Sequence, residues 1–172
     1  MKRPVAVRVV GPLHWIVIPS LIALAVTFLL ATPFQLFGFR LPEPAAPMVL
    51  AFAWPLIRPS MIAPVVLFGL GLFLDLLWGG MLGVWALSFL AVYVLVLLSR
   101  NLLAGQEGMI HMVWYGCCTL MAFMIAFLVV AFDAHNAPSL FGLIGQIVPT
   151  LLLWPAAAWM IERFDDGDVR FR

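Results

Sequence analysis

The sequence predicts an all-α polytopic membrane protein with six transmembrane helices and both termini in the cytoplasm. Three observations lead to this fold class. First, 65% of the 172 residues are apolar and only 10% are charged, whereas about a quarter of the residues in a soluble domain are charged. Second, the apolar stretches are continuous and do not alternate with polar residues, which favours helices over barrel strands. Third, nearly all of the basic residues fall on one side of a six-span arrangement.

The individual spans follow from length and apolar character. A helix of about 17–25 mostly apolar residues crosses the hydrocarbon core of a bilayer. The sequence therefore predicts a single membrane domain over residues 1–172, with spans at 15–31, 45–57, 61–78, 82–98, 109–132 and 139–161. The first stretch ends in Ala31-Thr32-Pro33 rather than at a signal-peptide cleavage site, so we expect the chain to keep it. Pro149 and Pro155 are expected to kink the sixth span and to free carbonyl groups that need partners.

The second span is the weakest, because it is short and contains Pro47 and Pro55. It could instead be a re-entrant or interfacial segment. If it crosses, eight of the nine basic residues lie inside and only Arg40 lies outside; if it does not, three lie inside and six outside. Basic residues favour the cytoplasmic side of a membrane. The charge distribution therefore favours six spans.

Aromatic and basic residues mark the expected membrane interfaces. Most of the tryptophans lie near predicted span ends, as interfacial side chains do; these are Trp15, Trp54, Trp78, Trp85, Trp114 and Trp159. Arg58 and Arg100 fall on the cytoplasmic side together with the basic N-terminal arm. These groups could contact anionic lipid or a cytoplasmic partner.

Several functional classes are excluded by composition and by missing motifs. A net charge of +1 provides no basic field for nucleic acid. The sequence has no phosphate-binding GxxxxGK[ST], no HExxH and no GxSxG motif, so we expect no enzymatic activity and no cofactor. Asp133 and His135 could contribute to a metal site, but such a site needs three or four ligands, and none is expected. The adjacent Cys117 and Cys118 are expected to pack between helices.

One acidic residue lies inside a predicted span. Asp75 is three residues from the outer end of the third span, and a carboxylate costs up to about 3 kcal/mol at the bilayer centre. It could be a polar clamp between helices, an ion site or a substrate contact; alternatively, it could be an interfacial residue that reaches water. Gly71, Asp75, Gly79 and Gly83 recur every four residues, which puts the first three on one stripe of a helix. Small residues at this spacing permit close approach of another helix, from a partner or from the same hairpin.

Residues 54–93 contain a recognisable combination of motifs. An aromatic residue and Arg-Pro precede the third span, GLxxDLLxG ends it, a Gly opens the next span, and a Tyr follows downstream. In this sequence these features are Trp54, Arg58, Pro59, Gly71, Asp75, Gly79, Gly83 and Tyr93. The combination closely resembles the bacterial rod shape-determining MreD family, which the chain also matches in length and in its nearly all-membrane organisation. One departure is Pro55 directly after Trp54, which bears on the geometry of the second span.

The resemblance implies a non-enzymatic component of the cell-elongation machinery in the bacterial inner membrane. Proteins of this family accompany the single-span periplasmic protein MreC and the actin-like MreB, and together they organise RodA and a class-B penicillin-binding transpeptidase. The family is also structurally similar to the six-helix S components of energy-coupling-factor transporters.

Two main functional hypotheses follow, and both remain open at this point. In the first, the chain is a scaffold whose stripe of Gly71, Gly79 and Gly83 docks the transmembrane helix of MreC, with Asp75 as a polar contact. In the second, the chain is an uptake subunit with an outward pocket near Asp75 and an ATPase partner. A minor third hypothesis is a carrier of a lipid-linked wall precursor. The set of expected partner-binding or helix-packing residues is completed by Trp54, Arg58, Pro59, Trp78 and Tyr93.

Overall fold

The protein is a bundle of apolar helices. The computed structural model describes residues 8–10, 13–30, 35–36, 39–40, 43–134, 140–165 and 169–171. A π-helical turn, Leu13–Val17, leads into the first of seven α-helices in this part of the chain. They are α1 (Ile18–Leu30), α2 (Pro47–Ile57), α3 (Ile62–Trp78), α4 (Val84–Leu103), α5 (Gly108–Ala134), α6 (Leu140–Leu151) and α7 (Trp154–Asp165).

The helices coincide with the six predicted spans, with α6 and α7 together forming the sixth. Three helical segments are long and apolar enough to cross a membrane: Val84–Leu103, Gly108–Phe132, and Ile144–Phe164, which includes the break between α6 and α7. The expectation of a helical membrane protein is confirmed at this level. The segments Trp15–Leu30, Pro47–Ile57 and Ile62–Trp78 are apolar but shorter, so the number of crossings stays a prediction.

Two short strand pairs, which the sequence analysis did not predict, accompany the helices. Strand β1 (Arg8–Val10) pairs in parallel with β4 (Val169–Phe171), and β2 (Gln35–Leu36) pairs antiparallel with β3 (Phe39–Arg40). The first pair joins the segment just before α1 to the segment just after α7. The beginning of α1 and the end of α7 therefore lie at the same end of the bundle.

The short helix α2 occupies the centre of the bundle. Its 11 residues span about 16 Å, roughly half of a hydrocarbon core. Nearly every side chain is buried, including Met48, Phe52 and Trp54, because α1, α3, α4 and α7 all pack around it. Trp54, Trp15 and Trp85, which were expected among the interfacial tryptophans, are buried inside the bundle and do not face lipid or water. The Trp54 indole Nε1–H donates to the Trp15 carbonyl oxygen over 3.0 Å.

The sixth predicted span is interrupted, as its prolines suggested. Helix α6 contains Pro149 and ends at Leu151, and α7 begins at Trp154. The freed Thr150 carbonyl oxygen receives two hydrogen bonds, one from the Leu153 amide at 3.1 Å and one from the Tyr115 hydroxyl at 2.9 Å. The break is therefore stabilised by a side chain from α5, as membrane proteins require of irregular backbone.

Candidate functional site in the α3–α4 hairpin

Asp75 lies near the end of α3 and caps the beginning of α4. One carboxylate oxygen, Oδ2, accepts a hydrogen bond from the Gly83 amide at 2.8 Å, and the other, Oδ1, accepts from the Trp85 amide at 3.1 Å. Gly83 is the N-cap residue of α4, where the first amides have no partner within the helix. A carboxylate is also favoured at this end of a helix by the helix dipole. Asp75 is therefore a polar clamp between two helices of the same chain.

The burial of Asp75 decides between the alternatives from the sequence. Its side chain is 1% exposed, so the interpretation as an interfacial residue that reaches water is wrong. Both carboxylate oxygens accept backbone amides, which leaves the group satisfied without a metal or a substrate. Within the described part of the chain, no cluster of three or more His, Cys, Asp or Glu residues could hold a metal ion.

The turn between α3 and α4 depends on two glycines with positive φ. Gly79 ends α3 at φ 63° and ψ 25°. Its amide donates to the Leu76 carbonyl oxygen, while the Gly80 amide donates to the Asp75 carbonyl oxygen at 3.1 Å. This pair of bonds is a Schellman motif, which requires a left-handed residue. Gly83, at φ 97°, then directs its own amide to the Asp75 carboxylate.

Gly71 lies one helical turn before Asp75 and brings the backbones of α3 and α4 into contact. A Cβ atom added to Gly71 would meet the backbone of Ala86 and would lie 2.8 Å from the Trp85 carbonyl carbon. No side chain fits in this space, so the close approach of α3 and α4 requires glycine. The helix-packing alternative therefore accounts for Gly71.

The single exposed stripe expected from the sequence is thus divided into two parts. Gly71 and Asp75 are buried against α4, whereas Gly79 and Gly83 lie in the turn, where no atom is within 4 Å of their Cβ positions. Gly80, which the sequence analysis did not assign to the stripe, is also exposed and has no atom within 4 Å of its Cβ position.

Aromatic side chains extend the contacts around the clamp. Trp78 is half-buried, and its indole Nε1–H donates to a Glu43 carboxylate oxygen. Its ring meets the Trp85 ring edge-on, with centroids 5.1 Å apart, and Trp85 meets Phe123 of α5 in the same way at 5.0 Å. Edge-to-face pairs of this kind stabilise a core beyond their burial. The hairpin is therefore fixed to α5 as well as to the segment before α2.

The remaining predicted residues organise the connection from α2 to α3. The hydroxyl of Tyr93, on α4, donates to the Ser60 carbonyl oxygen at 3.1 Å and accepts from the Ser60 amide at 3.3 Å. Arg58 follows the end of α2, and its amide donates to the Trp54 carbonyl oxygen at 2.9 Å. Pro59 is exposed beside it. The motif residues of 54–93 are thus brought together in one unit formed by α2, α3 and α4.

Several other polar groups have local roles or lie outside the described residues. His111 Nε2 lies 3.1 Å from the Leu103 carbonyl oxygen. Cys118 is buried and Cys117 is exposed, so the expected packing role holds for Cys118. His135 and the side chain of Asp133 lie outside the described residues.

Three polar residues important for the bundle were not found by the sequence analysis. The Thr150 hydroxyl oxygen accepts from the Ala45 amide, just before α2, at 3.1 Å and donates to the Gln146 carbonyl oxygen at 2.7 Å. The other two are Tyr115 and Glu43, described above. All three bond to residues distant in sequence, and no local spacing marks them. A polar residue in an apolar stretch is the one available signal.

A small cleft lies beside the clamp. It has a volume of about 160 Å³ and is lined by Asp75, Trp78 and Trp85 of the hairpin, by Phe127 and Val130 of α5, and by Gln146 of α6. Ligand pockets usually measure about 300–1,000 Å³, so this cleft is small for a vitamin-sized molecule.

Comparisons with known proteins give no relative: no family model, no curated protein and no solved structure matches this chain.

Proposed function

We propose that this chain is a non-enzymatic scaffold of the cell-elongation machinery in the bacterial inner membrane, of the MreD type. One observation carries the proposal. The motif residues of 54–93 have distinct structural tasks in one α2–α3–α4 unit: Asp75 caps α4, Gly71 permits helix contact, and Tyr93 holds the α2–α3 connection. Residues with such structural roles are expected to be characteristic of one fold. The resemblance of the motif to the MreD family connects that fold to the maintenance of rod shape.

The proposed topology has six spans and cytoplasmic termini. The parallel pairing of β1 with β4 supports it, because adjacent ends require an even number of crossings. The hydrogen bond between Trp54, near the end of α2, and Trp15, just before α1, also supports it, since α2 then runs antiparallel to α1.

The docking surface for the transmembrane helix of MreC is proposed to be the outer face of α3. Val65 and Leu76 are 70% and 67% exposed on this face, and Gly69 between them has no atom within 4 Å of its Cβ position. The absence of a side chain at Gly69 lets a second helix approach closely. Van der Waals packing between the two helices would then favour their association, as it does for other membrane helices.

Purification of the tagged full chain from its own membranes in mild detergent tests this function. We expect mass spectrometry to identify MreC together with MreB, RodA and a class-B transpeptidase. Gly69→Leu should reduce recovery of MreC about tenfold, because it places a bulky side chain in open space on the docking surface, at a residue without a positive φ. Gly79→Leu is less informative, since its φ of 63° strains any side chain.

Gly108→Leu is the matched control. Gly108 is also exposed, has no atom within 4 Å of its Cβ position, and lies at the beginning of α5. Gly108→Leu should leave the recovery of MreC unchanged, and recovery that is also unchanged by Gly69→Leu would remove the docking role of the outer face of α3. Recovery of an energy-coupling ATPase and its membrane subunit in place of MreC would overturn the scaffold function and favour the alternative, an S-component-like uptake subunit that uses the cleft beside Asp75.

A further inference from the structure

A groove separates α1 from α7. Helix α2 packs against both of them and forms the floor of the groove. The groove has a volume of about 380 Å³, within the range of small-molecule sites. Its walls include Ile18, Ile22 and Val26 of α1 and Ala156, Trp159 and Arg163 of α7.

The length of the groove corresponds to one leaflet of a bilayer. From Ile18 to Val26, the α1 wall rises about 12 Å, and one leaflet contributes about 15 Å of hydrocarbon. The groove begins where α1 begins and α7 ends, which is the end of the bundle joined by β1 and β4. It therefore runs from one membrane interface towards the bilayer centre.

A single charged residue lies at the interfacial end of this apolar groove. Among the described residues that line it, Arg163 is the only charged one. The guanidinium carbon of Arg163 is 5.2 Å from the ring centroid of Trp159, a distance at which the ring holds the cation in place. The neighbouring Glu162 does not line the groove. An arginine oriented in this way binds phosphate through two parallel hydrogen bonds.

We propose that the groove is a binding site for one anionic phospholipid, with an acyl chain between α1 and α7 and the phosphate on Arg163. The apolar walls fit a hydrocarbon chain, the length fits one leaflet, and the cation lies where the headgroup begins. Basic pockets between helices on the cytoplasmic side recognise anionic lipids in this way. The assignment to the cytoplasmic leaflet rests on the proposed topology, whereas lipid binding itself does not depend on MreC.

Native mass spectrometry of the delipidated, detergent-purified full chain tests the site. The probes are palmitoyl-oleoyl phosphatidylglycerol and phosphatidylcholine, which have the same acyl chains and different headgroup charge. We expect tighter binding of one phosphatidylglycerol by about tenfold. Arg163→Gln should lower its affinity about fivefold, while Arg100→Gln, which removes a basic residue from the last turn of α4 outside the groove, should leave it unchanged.

A second variant tests the acyl-chain part of the site. Ala156→Phe fills the groove and should reduce the binding of both lipids, whereas Ala25→Phe adds the same bulk to an exposed position of α1 outside the groove and should reduce neither. Helix content by circular dichroism should match wild type in all four variants. Equal losses for Arg163→Gln and Arg100→Gln, equal affinity for both lipids in the wild type, or unchanged binding by Ala156→Phe would each overturn the proposal.

Discussion

Two helices in this bundle begin next to a buried side chain that comes from another helix, and the two cases differ in one respect. The Asp75 carboxylate accepts hydrogen bonds from the first amides of α4. The Thr150 hydroxyl accepts a hydrogen bond from the Ala45 amide, just before α2. Asp75 lies only eight residues before Gly83 in the sequence, whereas Thr150 lies 105 residues after Ala45. Both contacts satisfy backbone groups that lipid cannot satisfy, but only the first can leave a compact motif in the sequence.

The two sites also differ in how many contacts stabilise them. The hairpin combines a carboxyl cap at Asp75, a backbone contact at Gly71 and two left-handed glycines in the turn between the helices. The contact between α6 and α2 relies on one hydroxyl group. We therefore expect substitutions in the hairpin to cost more than a substitution at Thr150, and the following predictions test this order by unfolding of the purified protein in mixed micelles.

The largest effect is expected at Gly71. Gly71→Leu should lower the free energy of unfolding by about 3 kcal/mol, because the side chain must displace the backbone of α4 near Ala86. Gly69→Leu introduces the same side chain on the same helix at an open position and should change the free energy by less than about 1 kcal/mol. Equal effects of the two substitutions would contradict the close contact.

The next effect is expected at Asp75. Asp75→Leu should lower the free energy of unfolding by about 2 kcal/mol, since it leaves the amides of Gly83 and Trp85 without an acceptor. Asp75→Asn keeps one carbonyl oxygen and should cost about half as much. If the asparagine variant were as unstable as the leucine variant, the negative charge rather than the two acceptors would be the stabilising feature.

A smaller effect is expected at Thr150. Thr150→Val should lower the free energy of unfolding by about 1 kcal/mol, because it removes the acceptor for the Ala45 amide. Thr119→Val is the matched control: the Thr119 hydroxyl is equally buried and donates to the Tyr115 carbonyl oxygen of its own helix. A larger loss for Thr119→Val than for Thr150→Val would argue against the cap on α2.

The smallest effect is expected at Tyr93. Tyr93→Phe should lower the free energy of unfolding by about 0.5 kcal/mol, because it removes one hydroxyl that bonds to the backbone of Ser60. Amide hydrogen exchange provides the more specific measurement, since the Ser60 amide should exchange faster while amides in α5 stay unchanged. Unaltered exchange at Ser60 would show that the hydroxyl does not hold the α2–α3 connection.

Much of the fold could be predicted from the sequence because a membrane helix needs a long apolar stretch. The helices lie within a few residues of the predicted spans, and the kinking role of Pro149 and Pro155 follows from their missing amides. The central position of α2 could not be predicted, since apolar residues facing lipid and apolar residues facing protein look alike in sequence. This is why Trp54 was assigned to the interface and lies in the core.

The candidate site was predicted in part for the same reason. Gly71 and Asp75 could be identified because they lie close together on one helix, and their contact surface, α4, is the next helix in the chain. The direction in which they face could not be identified, because spacing alone does not say whether a stripe packs inside a hairpin or outside it. Thr150 and Tyr115 form hydrogen bonds with residues that are far away in the sequence, so no local sequence pattern identifies them.

Photo-cross-linking in living cells is the most direct test of the central claim, that α3 presents the face on which a partner helix docks. A benzophenone side chain at Leu76, on the exposed face of α3, should form an adduct with MreC, as identified by mass spectrometry. The same side chain at Ala156, in the groove between α1 and α7, should form no adduct with a protein. Capture of MreC from Ala156 but not from Leu76 would contradict the account, as would the absence of an MreC adduct at Leu76 in cells that contain MreC.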